Sequence, residues 1–260
     1  MTAAEAAAAS SAAAPVIKLS VPASAGEVSV VIPVTNAQQG TVAIKVNPDG
    51  TEEIIKTSVV TKDGVVLGVK GSTQIKIVNN DKDFSDTVGH WAESDVDFVS
   101  ARELFTGTAP QTFSPEAATT RGMVVTVLAR LAGESTDGGA NWYDSYVNYA
   151  VTNGIIEKDY ANYTKAQMNA PVTRGEFVHI FHGAEDAYKA INTVADNAIP
   201  DVKATDKFAA EIYEFYRAGI LTGSDAKGTF HVTSEIKRSE AAAILLRMFE
   251  TSARKSITLK

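Results

Sequence analysis

The hydrophobic pattern of this chain changes its period once, near residue 80. Between Val16 and Val78, β-branched residues alternate with polar ones in short runs, as in half-buried strands. Turn-forming residues separate the runs, most clearly at 47–50 (Asn-Pro-Asp-Gly) and 62–64 (Lys-Asp-Gly). This density of short strands favours a small antiparallel sandwich or open barrel. The predicted strands are residues 16–21, 27–34, 41–46, 53–60, 65–69 and 74–78.

After residue 81 the apolar residues recur with helical spacing nearly to the C-terminus. They form three units, each predicted to contain a helix, a loop and a second helix. Units of this size cannot bury their apolar stripes alone, so the three are expected to pack together. The first helices carry Val96, Val99 and Phe105; Val147, Ala150 and Val151; and Ile212, Phe215 and Ile220. The second helices carry Val124, Val125, Leu128 and Leu131; Phe177, Ile180 and Phe181; and Ala241, Ile244, Leu245 and Met248.

A short motif marks the start of each second helix. It reads Val-Thr-Arg-Gly-Glu-Phe at 172–177, Thr-Arg-Gly-Met at 120–123 and Lys-Arg-Ser-Glu at 237–240. Thr120 and Thr173 are predicted N-caps, whose hydroxyls accept from the third helical residue. Glu176 is predicted to reach back to the Thr173 backbone as in a capping box, and Glu240 occupies the same position of its own motif.

The first helical residue of all three motifs is an arginine: Arg121, Arg174 and Arg238. A helix N-terminus is electropositive and favours acidic residues by about 0.3–1 kcal/mol. An arginine repeated at this position breaks that local rule, and such breaks tend to occur at functional sites. Two interpretations stay open. The arginines pair with internal carboxylates such as Asp86, Asp201 or the motif glutamates, or they bind an anionic ligand.

Composition narrows the function classes. A length of 260 residues allows about two domains, with 45% hydrophobic and 21% charged residues as in an ordinary globular protein. A net charge of −7 argues against nucleic-acid binding. No apolar run is long enough for a transmembrane helix. The absence of cysteine excludes disulfides and thiolate metal sites. Residues 1–15 are a low-complexity linker without the basic region of a secretory signal, so an exported chain would need a signal that precedes it.

No catalytic signature is present in the sequence. His179 and His182 have helical spacing and lie near Glu185, but no further metal ligand is evident. Phe177 and Phe181 surround them on the same helix. We therefore predict no enzyme, no cofactor and no metal site.

The order and threefold recurrence of short signatures resemble three tandem copies of the S-layer homology (SLH) domain. The copies are placed at 83–133, 140–190 and 197–252, after a β-rich spacer at 16–80. The first copy carries Phe-Ser-Asp-Thr at 84–87, His-Trp at 90–91, Leu-Phe-Thr-Gly at 104–107 and Phe-Ser-Pro at 113–115. The second carries Trp-Tyr at 142–143, Gly-Ile-Ile at 154–156 and Ala-Pro-Val-Thr-Arg-Gly-Glu at 170–176. The third carries Pro-Asp-Val at 200–202, Gly-Ile-Leu-Thr-Gly-Ser at 219–224 and Gly-Thr-Phe at 228–230.

The resemblance implies an α+β protein whose helical part is a pseudo-threefold bundle. It implies grooves between repeats that hold a secondary cell wall polysaccharide with pyruvate-ketal sugars. The ketal carboxylate would suit free N–H groups of a helix first turn with an arginine beside them. By this resemblance the ligand-binding residues are Arg121, Arg174, Arg238, Thr106, Gly107, Thr222, Gly223, Ser224, Trp91 and Trp142. The supporting residues are Thr120, Thr173, Glu176, Glu240, Asp86 and Asp201.

The sequence departs from the family pattern within the helix-start motifs. Met123 replaces the motif glutamate, and Lys237 replaces the motif threonine. Trp91 and Trp142 either pack between repeats or face a sugar.

The expected function is noncovalent anchoring of an exported protein at the cell surface. The alternatives are an S-layer subunit that self-associates into a lattice, and binding to modified peptidoglycan.

Overall fold

A computed structural model describes residues 14–134, 138–184 and 188–259. The predicted linker 1–15 therefore lies almost wholly outside the described residues. The chain divides into two compact units, Met1–Pro115 and Glu116–Lys260. The described residues form an α+β protein with two antiparallel sheets and seven α-helices.

The first unit contains two antiparallel sheets that share one hydrophobic core. The seven strands are β1 (Ile17–Leu19), β2 (Glu27–Ile32), β3 (Thr41–Val46), β4 (Glu52–Ile54), β5 (Val59–Thr61), β6 (Gly64–Lys70) and β7 (Thr73–Asn79). One sheet has the order β1-β7-β3-β4 and the other β2-β6-β5. Both sheets contribute to the core, which contains Ile32, Ala43, Val60, Val65, Leu67, Val69 and Ile75.

The prediction of one strand at 53–60 is wrong, because the chain changes sheets within this run. Strand β4 pairs with β3, whereas β5 pairs with β6 in the other sheet. Between them the Ser58 N–H donates to the Ile55 carbonyl at 2.9 Å, closing a turn. Ser58 is buried, and its hydroxyl accepts from the Ala43 N–H at 3.3 Å. The run 53–60 contains no glycine or proline, so the sequence carries no turn signal at the crossing.

Helix α1 (Glu93–Ala101) belongs to the first unit, and six helices belong to the second. They are α2 (Arg121–Leu131), α3 (Asp144–Thr152), α4 (Lys165–Asn169), α5 (Arg174–His182), α6 (Ala209–Arg217) and α7 (Arg238–Phe249). The prediction that α2, α5 and α7 begin at the motif arginines is confirmed. Phe105 and Ile220 lie beyond the helices on which they were predicted. Among the described residues no helix is long and apolar enough to cross a membrane.

A buried arginine holds α1 against the β-rich segment of the first unit. Arg102 is fully buried and follows α1 directly. Its Nε donates to the Ser58 carbonyl at 2.7 Å, and its Nη atoms donate to the carbonyls of Gln39, Thr41 and Phe98 at 2.8, 3.3 and 3.1 Å. The guanidinium also lies 3.9 Å from the centre of the Phe98 ring. One side chain therefore satisfies carbonyls from both segments.

We expect Arg102→Ala to lower the free energy of unfolding by about 3 kcal/mol or more. The substitution leaves several carbonyls without their donor, and each such loss costs roughly 1–3 kcal/mol. Urea denaturation measures the change. The matched control is Lys45→Ala, which removes an exposed ion pair with Glu53 worth roughly 0–1 kcal/mol. Equal stability of the two variants would contradict the role of Arg102.

Candidate binding site at the helix starts

Three backbone segments of the second unit hydrogen-bond to one another in a closed ring. The Thr119 N–H donates to the Ile236 carbonyl at 2.8 Å, and the Val172 N–H donates to the Thr119 carbonyl at 2.9 Å. The Ile236 N–H closes the ring by donating to the Val172 carbonyl at 3.1 Å. All three residues are fully buried, and each lies two residues before a motif arginine. The ring therefore gathers the starts of α2, α5 and α7 in one place.

The backbone N–H groups of the motif arginines already have partners. Each donates to a carbonyl of the next segment around the ring. The pairs are Arg121 to Ala170 at 3.1 Å, Arg174 to Ser234 at 2.8 Å and Arg238 to Ala117 at 2.9 Å. Of the first-turn N–H groups that were expected to be free, those at the first helical position are therefore occupied. Further into the first turn, the Gly175 N–H donates to the Val232 carbonyl at 2.9 Å, and the N–H groups of Met123 and Glu176 donate to the capping threonines.

At the first junction, Arg121 of α2 pairs with Glu176 of α5. Its Nε and Nη2 donate to the two carboxylate oxygens at 2.7 and 2.9 Å, and Nη1 donates to the Gln167 carbonyl at 3.3 Å. The hydrogen bond to Glu176 raises the pKa of Arg121 further above its ordinary value. The Arg121 side chain keeps 22% of its exposure. This junction is thus a forked ion pair at the protein surface.

Only half of the capping box predicted for α5 is present among the hydrogen bonds described. The Thr173 hydroxyl accepts from the Glu176 N–H at 3.1 Å, as predicted for an N-cap. Thr120 does the same for Met123 at 3.4 Å. The Glu176 carboxylate, however, faces Arg121. The neighbouring segment supplies a stronger, charged partner than the Thr173 backbone would.

At the second junction, Arg174 of α5 pairs with Glu240 of α7. Its Nη1 donates to the Glu240 carboxylate, and its Nε donates to the Phe230 carbonyl at 2.7 Å. Asp201 in turn accepts from the N–H groups of Phe230 and His231 at 2.8 and 2.6 Å. Arg174 is buried, with 7% exposure. Asp201 and Glu240 therefore support a mostly enclosed guanidinium.

At the third junction, Arg238 of α7 faces Met123 of α2. Arg238 is 2% exposed, and among its contacts Nη1 lies 3.5 Å from the Met123 sulfur. Glu240 accepts from the Lys237 N–H at 3.0 Å, which is the one half of a capping box that a lysine at the N-cap permits. The three arginines thus contact the third helical residue of the next segment in cyclic order. Met123 is the member of that set that carries no charge.

Both predicted sugar-facing tryptophans are exposed. Trp91 is 62% exposed in the first unit, and Trp142 is 44% exposed in the second. Trp142 and Tyr143 lie against Gly122, the second residue of α2. A Cβ on Gly122 would lie 3.4 Å from the Trp142 ring and 3.2 Å from the Tyr143 ring. The glycine lets an aromatic pair cover the helix start beside Arg121.

A second glycine of the same kind was missed by the sequence analysis. A Cβ on Gly175, the second residue of α5, would lie 3.2 Å from the Phe208 ring and 2.7 Å from a Val232 methyl group. Phe208 has φ 64°, in the left-handed region. A glycine inside a helix costs about 1 kcal/mol relative to alanine. Glycine recurs at the second helical position of α2 and α5, as Gly122 and Gly175. This recurrence was the sequence signal that could have predicted a close approach of other side chains to these helix starts.

The loop predicted at Thr106 and Gly107 is positioned by packing. Thr106 is exposed. A Cβ on Gly107 would lie 2.7 Å from the Phe84 ring and 2.9 Å from the Thr112 carbonyl. Asp86 supports this region by accepting from the N–H of Phe113 at 2.8 Å. Gly107 therefore has a structural requirement of its own, independent of any ligand.

The loop predicted at Thr222, Gly223 and Ser224 closes on itself. Gly223 has φ 81°, and a Cβ there would lie 2.5 Å from the Gly228 backbone. The Ser224 N–H and hydroxyl both donate to the Thr229 carbonyl at 2.9 Å. Thr222 is half-buried, and Ser224 is exposed. Gly223 thus forms the turn itself, with a left-handed backbone that glycine adopts without steric cost.

The two histidines of α5 form pairs with α6. His179 lies 3.1 Å from Glu211, and His182 lies 2.7 Å from Glu214. Glu185 lies outside the described residues. Within the described ranges, no group of three or more potential ligands is arranged to hold a metal ion.

Acidic residues surround a cleft of about 290 Å³ in the first unit. Burial raises the pKa of Asp97 to about 6, and the charges of Asp81, Glu93 and Asp83 add to this effect. Because burial penalises the charged carboxylate, the folded protein is more stable with Asp97 protonated than with Asp97 ionised. That contribution is complete below the ordinary pKa of 3.8 and is lost as the pH rises through about 6.

We expect Asp97→Asn to stabilise the protein at pH 7, because the amide carries no charge to desolvate. The difference from the wild type should shrink as the pH falls through 6 and vanish below about 4. Thermal unfolding followed between pH 4 and 8 measures it. A difference independent of pH would contradict the titration of Asp97 in this range.

We expect a double-mutant cycle of Arg121→Met and Glu176→Gln to give a coupling energy of about 1.5–3 kcal/mol. Forked, charge-assisted hydrogen bonds have this strength when partly buried. Urea denaturation of the four proteins gives the value. The Lys45–Glu53 pair, exposed on the first unit, is the matched control. Coupling below about 0.5 kcal/mol at the first junction would show that the fork contributes little.

Comparisons with known proteins bear on two of the three motifs. A search of curated proteins found no match for the chain. A family model did match, and its two matched segments contain Arg121 and Arg238 but not the predicted second copy at 140–190. Residues 83–122 and 198–242 of this chain match the S-layer homology domain.

Proposed function

We propose that this chain is a non-catalytic module that anchors an exported protein to the bacterial cell wall. The match of two segments to the S-layer homology domain carries the proposal, because such domains generally anchor proteins to the cell wall. Anchoring implies a location at the cell surface and a wall polymer as the partner. The net charge of −7 means that an acidic polymer would be recognised by local contacts, since the overall field repels it.

We propose that residues 140–190 are a diverged third copy of the same domain and that the three copies are related by a pseudo-threefold axis. The support for a third copy is that its residues occupy positions equivalent to those of the other two segments. Val172 occupies the same place in the backbone ring as Thr119 and Ile236. Arg174 likewise contacts the third helical residue of the next segment, as Arg121 does. A segment with an unrelated fold would have no reason to meet both relations.

The proposed ligand contact is the first junction, where an aromatic face and a guanidinium are both accessible. Trp142 presents a ring that is 44% exposed, and rings of this kind stack on the C–H faces of sugars. Arg121 has five N–H donors, three of which go to Glu176 and Gln167. No described residue accepts from the other two. Those donors suit a carboxylate such as that of a pyruvate ketal.

Arg174 and Arg238 fit a supporting role better than direct ligand contact. Their exposures are 7% and 2%, so a polymer chain has little access to either guanidinium. We therefore assign them to holding the helix starts together. The loops at 106–107 and 222–224 stay candidates for further sugar contacts, with Thr106 and Ser224 as their exposed members.

The test is sedimentation of the chain with purified cell walls, before and after mild acid removal of ketal pyruvate. Loss of binding after acid treatment would support the pyruvylated polysaccharide. Unchanged binding would favour modified peptidoglycan. No binding to any wall preparation would contradict anchoring and favour an S-layer subunit that makes protein lattice contacts.

We expect Trp142→Ala to weaken wall binding by about tenfold or more, as for an aromatic residue at a binding hot spot. Its exposure means that the melting temperature should barely change. The matched control is Ile191→Ala, since Ile191 is 51% exposed but aliphatic. Titration of the fraction bound to walls measures both variants. Equal loss for the two would show that the Trp142 ring has no specific role.

A further inference from the structure

Residues 254–259, called the strap below, lie against the loop that follows α6. The Lys255 N–H donates to the Gly219 carbonyl at 2.9 Å, and the Ile257 N–H donates to the Asn192 Oδ1 at 3.0 Å. In return the Asn192 Nδ2 donates to the Lys255 carbonyl at 3.0 Å. Asn192 is buried, with 8% exposure. A buried amide therefore holds the strap at two of its residues.

The start of the strap is fixed at the end of α7. The Arg254 Nε donates to the Arg247 carbonyl at 3.0 Å, and its Nη2 donates to the Met248 carbonyl at 3.3 Å. A cation is favoured beside the last carbonyls of a helix. The strap thus leaves α7 from a fixed point.

Two glycines make room for the strap. Gly219 has φ 74°, and a Cβ there would lie 2.6 Å from the Lys255 carbonyl oxygen. Gly228 has φ 78°, and a Cβ there would lie 2.5 Å from a methyl carbon of Leu259. Any larger residue at either position would meet the strap, so this loop and the strap fit each other.

The matching glycine of the segment 140–190 is open. Gly154 follows α3 as Gly219 follows α6, and each N–H donates to the carbonyl three residues earlier at 3.1 Å. Gly154 has φ 68°, but a Cβ there would meet no described atom within 4 Å. The same backbone position is therefore covered by the strap in one segment and accessible in the other.

Leu259 covers the loop that holds the predicted sugar contacts Thr222, Gly223 and Ser224. Within this loop Gly223 lies against the Gly228 backbone, and the direction of a Gly228 side chain points to Leu259. A glycine lets a ligand approach the backbone closely, because no side chain stands in the way. At Gly228 the Leu259 side chain already occupies that approach.

We propose that the strap is an internal competitor that closes the loop at 222–228 to the wall polymer. This inference rests on the proposed anchoring function and adds a regulation to it. The polymer reaches the Gly228 backbone only after Leu259 moves away. When only a fraction of the molecules is competent to bind, the apparent affinity falls by that fraction. Binding of the polymer and closure of the strap therefore oppose each other.

The variant Leu259→Asp tests the strap in the full chain. A charged side chain is disfavoured against the loop, so hydrogen exchange of the peptide that contains residues 254–259 should become faster. Affinity for purified cell walls, measured by sedimentation, should rise roughly three- to tenfold as the open fraction grows. The matched control is Thr258→Asp, which adds the same charge at an exposed neighbouring position and should change neither result.

The wild type gives a second readout. Soluble polysaccharide released from the walls should speed hydrogen exchange of the strap, because bound polymer displaces Leu259. Slower or unchanged exchange would overturn the proposal, as would unchanged exchange of the strap in Leu259→Asp.

The two measurements separate the strap from the anchoring function. Equal wall affinity of the wild type and Leu259→Asp, together with faster exchange in the variant, would overturn the strap's role and leave anchoring intact. Absence of wall binding by the wild type and both variants would overturn anchoring and the strap's role together.

Discussion

The second unit depends on the three backbone hydrogen bonds that join Thr119, Val172 and Ile236. Buried N–H and C=O groups must find partners, and these six groups find them in one another. Each bond links a different pair of segments, so no segment can leave without breaking two of the three bonds. Helices α2, α5 and α7 each begin two residues after a residue of the ring, so the ring fixes where their first turns lie.

The ring of backbone hydrogen bonds determines which residues the motif arginines can contact. An arginine at the first position of its own helix opposes the helix dipole, whereas a glutamate in the first turn is favoured by it. Arg121 and Glu176 lie on different helices whose starts have been brought together, so the favourable residue of one offsets the unfavourable residue of the other. Because the pair is partly buried, loss of one partner leaves a charge without compensation. The motif is thus a device for joining segments.

This arrangement also shapes what the surface can bind. Gly122 and Gly175 give up helix propensity so that aromatic rings can lie over the helix starts. Trp142 is then an exposed ring at the start of α2, the helix whose Arg121 guanidinium is held in place by Glu176. Under the proposed function, a fixed ring and a fixed fork would lose little conformational freedom when a stiff sugar chain binds. The contacts that join the helix starts would then also hold the binding residues in place.

Within the first unit, the alternating pattern predicted most of the strands but missed the break in the run 53–60. Periodicity reports which faces are buried, not which sheet a strand joins, so the turn at Ser58 was invisible to it. Arg102 was likewise missed, because nothing local distinguishes it from a surface arginine. Its four carbonyl partners come mostly from distant parts of the chain.

The sequence by itself determined where α2, α5 and α7 begin, because capping and amphipathic spacing are properties of neighbouring residues. It also singled out Arg121, Arg174 and Arg238 as anomalous, and Met123 as the departure among their partners. Only the tertiary structure decided which side chain of the next segment each arginine meets, that their backbone N–H groups are occupied, and that Trp142 is exposed. Those outcomes depend on contacts between segments some 50–120 residues apart, which the closed ring of backbone hydrogen bonds brings together.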